Sequence, residues 1–282
     1  MFNKLLIIGC GLIGSSILRA SIKKKIAKKY FVYEKSIKNN STIKKINSKV
    51  ILLKKLDHNI SDIDFIILST PMSSYSRIIT SFNKFLTNKA IITDVGSTKK
   101  NVLKLKKNKL DKSLNWILSH PIAGSEVSGP EYGKANLFNN RWCIITKQKT
   151  DKKVEKVERF WKKIGCKVIF MNPDEHDKIF AITSHLPHLI AYNLIKTAQD
   201  FQHKERKNLI KFSAGGLRDF SRIAASNEIM WRDIFFDNKK NVTKAINLFV
   251  KNLNAFKKDI NSKNNLSILK KLTQTKKVRS KI

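Results

Sequence analysis

Apolar residues in the first part of the chain fall into short runs separated by stretches where they recur every three or four positions. The runs lie at residues 5–8, 30–33, 64–71, 90–97, 116–118, 142–146 and 167–171. Segments 15–25 and 154–164 carry helical spacing between them. Short apolar runs alternating with helical patterns predict an open α/β sheet. The pattern changes at residue 172. Asn172 suits an N-cap, Pro173 the first helical position and Glu175 the third, a capping-box-like opening. From there to residue 200 the spacing is helical and mostly apolar, and no strand pattern follows. Further helices are expected at 205–214, 216–224, 229–236 and 239–263, with the basic residues 274–282 frayed. Two domains are therefore expected, residues 1–171 and 172–282.

The punctuation between runs carries the chemistry. The first strand runs into Gly9-Cys10-Gly11-Leu12-Ile13-Gly14, which opens a helix. In that context a G-x-G-x-x-G is a Rossmann dinucleotide fingerprint. Gly9 makes the turn, Gly11 lets backbone approach a pyrophosphate, and Gly14 lets helix close on strand. The amides of Leu12 and Ile13 then face phosphate from a helix amino end. Glu34 ends the second strand, 20 residues after Gly14, where a carboxylate accepts from ribose hydroxyls and repels a 2′-phosphate. NAD is favoured over NADP, although Lys35 next door offers a cation to an extra phosphate. Thr70 and Pro71 fall where the run at 64–71 passes into a turn, near where the cofactor should cross. Ser97 stands at the end of the run at 90–97, and an N-cap is its purely structural alternative.

Residues 119–129, SHPIAGSEVSG, are too polar and too rich in Gly and Pro for a regular element. His120 there leaves the carboxyl end of a strand, where open α/β sheets bind ligands. Three more histidines fall in the first C-terminal helix. On a straight helix His176 points about 180° away from His185, so His185 and His188 are placed in the cleft and His176 on the surface. His185-Leu186-Pro187-His188 lacks a carboxylate partner, which argues against zinc. Arg222 offers a planar fork for a substrate carboxylate, or else pairs with Asp219 three residues earlier. Trp231 lies close behind it.

Composition adds less. The 282 residues carry a formal charge of +36, yet only nine of the 57 basic residues are arginine, and the lysines are spread throughout. A nucleic-acid face would cluster its charge, so no nucleic-acid partner is expected. Anionic substrates would be attracted. Cys10, Cys143 and Cys166 form no C-x-x-C, which fits a reducing cytoplasm. No apolar run approaches the ~20 residues of a membrane span, and the stretch before Cys10 is shorter than a signal-peptide core.

Together these segments resemble the prephenate dehydrogenase family, the prephenate/arogenate dehydrogenases of tyrosine biosynthesis. The resemblance rests on the glycine fingerprint, DVGS at 94–97, HPIAGSE at 120–126, SHLPH at 184–188, GLRD at 216–219, RIA at 222–224 and MWRD at 230–233. It implies an α/β Rossmann-type N-terminal domain followed by an all-α C-terminal dimerisation domain, and hence a homodimer. It also implies NAD-dependent oxidative decarboxylation of prephenate to 4-hydroxyphenylpyruvate, or of arogenate to tyrosine. By the family pattern His120 accepts from the C4 hydroxyl of the cyclohexadienol and Ser97 holds that hydroxyl or orients the imidazole. Arg222 binds a carboxylate, Trp231 and His188 line the pocket, and Glu126 lies near its mouth. Two rivals are a hydroxyacid or 6-phosphogluconate-type dehydrogenase, in which Lys99 would be the base, and a polyanion binder resting on net charge alone.

Overall fold

The computed structural model describes residues 2–146, 151–205 and 210–281. Contact density divides the chain into two compact units, Met1–Asn238 and Lys239–Ile282.

The first unit is built on a six-stranded parallel sheet with order β3-β2-β1-β4-β5-β6. The strands are β1 (Phe2–Ile8), β2 (Ala27–Tyr33), β3 (Ile51–Leu53), β4 (Phe65–Leu68), β5 (Ile91–Asp94) and β6 (Asn115–Ile117). That order is the doubly wound one, whose crevice opens where β1 and β4 part company in sequence, at their carboxyl ends. Helices α1 (Leu12–Lys23), α2 (Lys38–Ile46), α3 (Tyr75–Phe82) and α4 (Lys100–Lys109) connect them. β1 shows why the strands read as continuous apolar runs. Its Leu5 and Ile7 enter the core with Ile17 and Leu18 of α1. Leu6 and Ile8 enter the opposite core with Tyr75, Ile78, Ile79 and Phe82 of α3. All four β1 side chains are fully buried, each worth about 1.5–3 kcal/mol relative to exposure.

After Leu118 the chain leaves this sheet for a second one, of order β7-β8-β9. Its strands are β7 (Ser119–Pro121), β8 (Trp142–Thr146) and β9 (Lys167–Met171), with α5 (Lys152–Lys163) between the last two. β7 runs antiparallel to β8, with His120 opposite Ile144. The start of the polar segment at 119 is therefore a strand after all. Partners across the strand, not local propensity, decide it.

Asn172 caps α6 (Pro173–Phe180), its side chain accepting from the Asp174 amide at 2.9 Å. A single π turn (Ala181–His185) joins α6 to α7 (Leu186–Glu205). Of the helix expected at 205–214, residues 206–209 lie outside the described residues, and Ile210–Phe212 is a 3₁₀ turn. α8 (Gly215–Ser221), a 3₁₀ turn (Arg222–Ala225) and α9 (Glu228–Asp237) complete the unit. The second unit is α10 (Lys239–Asn261) and α11 (Asn265–Arg279). The tail expected to fray is thus helical to Arg279, and Ile282 lies outside the described residues. Asn264 caps α11 by accepting from the Ser267 amide at 3.1 Å. Among the described residues no helix is long and apolar enough to cross a membrane.

Candidate active site

A cavity of about 620 Å³ opens at the carboxyl ends of the parallel strands. Its floor is the glycine turn between β1 and α1. Gly9 has φ +88, and a Cβ on Gly14 would stand 2.1 Å from the Gly9 carbonyl oxygen, so neither position admits a side chain. A Cβ on Gly11 would meet nothing within 4 Å, because Gly11 faces open space at the amino end of α1. Gly11, Leu12 and Ile13 line the cavity, as do Thr70 and Pro71. The Ser69 and Thr70 hydroxyl oxygens are buried with no hydrogen-bond partner among the described residues. Glu34 closes the turn from β2. One carboxylate oxygen accepts from the Cys10 amide at 2.7 Å and the other from the Ser36 amide at 2.9 Å.

Ser97, His120, Glu126, His188, Arg222 and Trp231 line the same cavity. His120 is 8% exposed and Ser97 stands in the loop after β5. Ser97 does not cap α4, which starts at Lys100. The amides of Lys99 and Lys100 are instead taken by Asp177 of α6, at 2.8 and 3.0 Å. Arg222 does not pair with Asp219. It reaches across the mouth and donates to Glu126 at 2.8 Å, both partners partly open to solvent. The guanidinium is drawn away from its own helix by the Glu126 carboxylate on the facing loop. His188 stacks on Trp231 with ring centres 3.7 Å apart, its Nδ1 donating to the Ser184 carbonyl at 3.0 Å.

Two histidines sit elsewhere than the straight-helix projection puts them. His185 is fully buried, shares a 3.1 Å hydrogen bond between its Nδ1 and the Asn238 side-chain nitrogen, and does not line the cavity. His176, expected on the surface, is fully buried, and its Nε2 lies 2.8 Å from His120 Nδ1. His176 is drawn inside by its pairing with His120, and the π turn changes the phase between His176 and His185. The wider winding of that turn advances fewer degrees per residue than an α-helix. His176 Nδ1 in turn lies 2.8 Å from Asp177 Oδ1. Burial, then the neighbouring His176 and Lys99, hold His120 well below the ordinary imidazole value. Burial also lowers His176, despite the Asp177 carboxylate beside it. Both rings are neutral at pH 7.

A polar knot lies under β7. The Lys99 ammonium, fully buried, donates to Asp94 at 2.5 Å and to the Ser119 carbonyl at 2.6 Å. Asp94 also accepts from the Gly96 amide, the Ser119 amide and the Trp116 indole. The knot stitches the end of β5 to the start of β7 and so places His120. Lys99 does not line the cavity, which removes the lysine-base reading. Neither the knot nor the His176–Asp177 pair was visible as chemistry in the sequence, where only the adjacency of His176 and Asp177 hinted at a joint role.

Comparison with known proteins agrees with the geometry. The family model described as prephenate dehydrogenase, nucleotide-binding domain, matches residues 19–170. The one described as prephenate dehydrogenase, dimerization domain, matches residues 172–274. A cyclohexadienyl dehydrogenase of Zymomonas mobilis is 30% identical over 281 residues, covering 99% of this chain and 96% of its own length. A prephenate dehydrogenase of Bacillus subtilis is 33% identical over 249 residues, 86% of this chain and 66% of its own. Among solved structures, prephenate dehydrogenase from Aquifex aeolicus in complex with hydroxyphenyl propionate and NAD+ superposes with a TM-score of 0.92. It is 35% identical, covering 100% of this chain and 99% of that one.

Proposed function

The chain belongs to the prephenate dehydrogenase family, and from that premise we propose that it oxidatively decarboxylates prephenate to 4-hydroxyphenylpyruvate with NAD. The observation that carries this reading is one cavity lined by the glycine turn, by a buried neutral imidazole and by an arginine at the mouth.

The residues fit a dinucleotide. Open space over Gly11, the amino end of α1 and the partnerless Ser69 and Thr70 hydroxyls suit a pyrophosphate and its neighbours. Glu34 retains lone pairs for ribose hydroxyls and would repel a 2′-phosphate, which supports NAD over NADP. Once bound, NAD supplies the hydride acceptor. Loss of hydride from a carbinol carbon gives it ketone character, so a base on the hydroxyl helps most in the transition state. His120 takes that proton, and Ser97, on the same wall, holds or orients the hydroxyl. Departure of CO₂ needs no base of its own, because it leaves an aromatic ring. Arg222 exchanges Glu126 for a substrate carboxylate, a small cost because such exposed pairs are weak. Trp231, stacked on His188, gives the ring an apolar wall; His185 supports Trp231 from behind.

The segment 172–282 is read as the helical substrate and dimerisation domain. Exposed Leu248, Leu253 and Ile260 on α10, with Leu266, Leu269 and Leu272 on α11, support self-association as a homodimer. The three free, buried cysteines support a cytoplasmic setting.

The deciding assay offers prephenate and arogenate with NAD and with NADP and follows reduced cofactor. Turnover with prephenate and NAD is expected. His120→Asn is expected to lower kcat ~10²–10⁴-fold while NAD still binds. Undiminished turnover in that variant would remove His120 from the chemistry.

A further inference from the structure

We propose that His176 and Asp177 are positioning residues that fix His120 as its Nδ1–H tautomer, leaving the Nε2 lone pair as the proton acceptor in the cavity. The inference deepens the dehydrogenase reading and rests on it for the identity of the proton taken.

The argument starts at Asp177 and moves inward. Its Oδ1 receives the Lys99 amide at 2.8 Å and its Oδ2 the Lys100 amide at 3.0 Å. Backbone amides only donate, so this carboxylate is held as an acceptor at both oxygens. Its third contact, 2.8 Å from Oδ1 to His176 Nδ1, therefore needs the proton on His176 Nδ1. In a neutral ring that leaves His176 Nε2 bare. His120 Nδ1 stands 2.8 Å away and must supply the hydrogen for that bond. One neutral imidazole carries one N–H, so the Nε2 of His120 is bare as well. Among the described residues the His120 ring makes no other hydrogen bond, and the residue lines the cavity. A second proton on either ring would place a cation in a site that is already buried and faces the Lys99 ammonium.

The arrangement matters because the opposite tautomer would present an N–H to a hydroxyl that has to lose its proton. Orientation of a base by a third group is the general logic of activated pairs. Here the orienting chain has two members. It is anchored at Asp177 to the backbone amides of Lys99 and Lys100, at the start of α4 and two and three residues after Ser97.

The tautomer is directly measurable. Two-bond ¹H–¹⁵N spectra of the ¹⁵N-histidine-labelled protein without substrate should show His120 protonated on Nδ1 and bare on Nε2. His176→Ala should shift that ring toward Nε2–H and lower kcat about 10²-fold or more. KM for prephenate and the NAD dissociation constant should stay within about twofold. His176→Gln, whose amide oxygen can accept from Nδ1–H, should restore the tautomer and most of kcat. Asp177→Asn, which no longer demands a proton from His176 Nδ1, should mix the tautomers. An Nε2–H ring in the wild-type protein overturns the proposal even if every variant fails to fold. So does an unchanged tautomer in folded His176→Ala, or an equal loss of kcat in the Gln and Ala variants. If the wild-type protein does not oxidise prephenate, the dehydrogenase reading falls and the spectrum still decides the tautomer.

Discussion

A guanidinium and an ammonium carry the same charge but do not hold a carboxylate alike. Arg222 presents a planar fork at the mouth, and Lys presents a point. Arg222→Lys is therefore expected to raise KM for prephenate roughly 10- to 100-fold with kcat within a few-fold, measured by steady-state kinetics. A change in kcat alone would move Arg222 from binding to chemistry. At this scale the sequence was informative wherever a residue's role follows from its immediate neighbours. The turn at Gly9 and the clash at Gly14 follow from a strand running straight into a helix. So does the place of Glu34 at the end of β2, although its bonds to Cys10 and Ser36 were not foreseen. His176 was misplaced because its burial depends on a partner 56 residues away, for which local spacing carries no signal.

Elements were legible where both faces of a strand are covered or a cap is explicit, as in β1 and α6. They were not where pairing or winding is set from a distance. β7 has almost no strand propensity in Ser-His-Pro and exists because β8 lies beside it. The π turn adds winding that no apolar spacing announces, and it carries His188 onto the cavity wall while His185 goes inside. The β5–β7 seam is likewise tertiary. Lys99→Met would leave Asp94 buried with its charge uncompensated, at a cost of about 3–5 kcal/mol. Thermal unfolding should show a fall in Tm of roughly 10 °C. A change under 2 °C, within the scatter expected of a neutral surface substitution, would mean that the ammonium holds nothing together.

For the whole molecule the +36 charge is the loudest number and decides the least about fold. The buried histidines have a larger say in stability. Burial lowers His120, His176 and His188, and pushes His185 down to about 4. An unfolded imidazole takes its proton near pH 6.5, so between there and the folded values the unfolded chain binds more protons. This contribution is complete above about pH 6.5 and drains away as pH falls toward 4. His185 alone accounts for roughly 3 kcal/mol of it. Scanning calorimetry at pH 7.5 and pH 5 should show Tm lower at the acid pH by several degrees, and an unchanged Tm would contradict the buried neutral rings.

The ammonium beneath β7 also bears on how the protein can evolve. A lineage that tried to recruit Lys99 as a base would have to vacate the space under Ser119, strand the Asp94 charge and unfasten one sheet from the other before gaining any rate. Substitutions at the mouth, around Glu126 and Arg222, meet no such barrier. With the roles proposed for His120 and Arg222, selection can therefore retune which anion is admitted far more readily than it can exchange the imidazole for an amine.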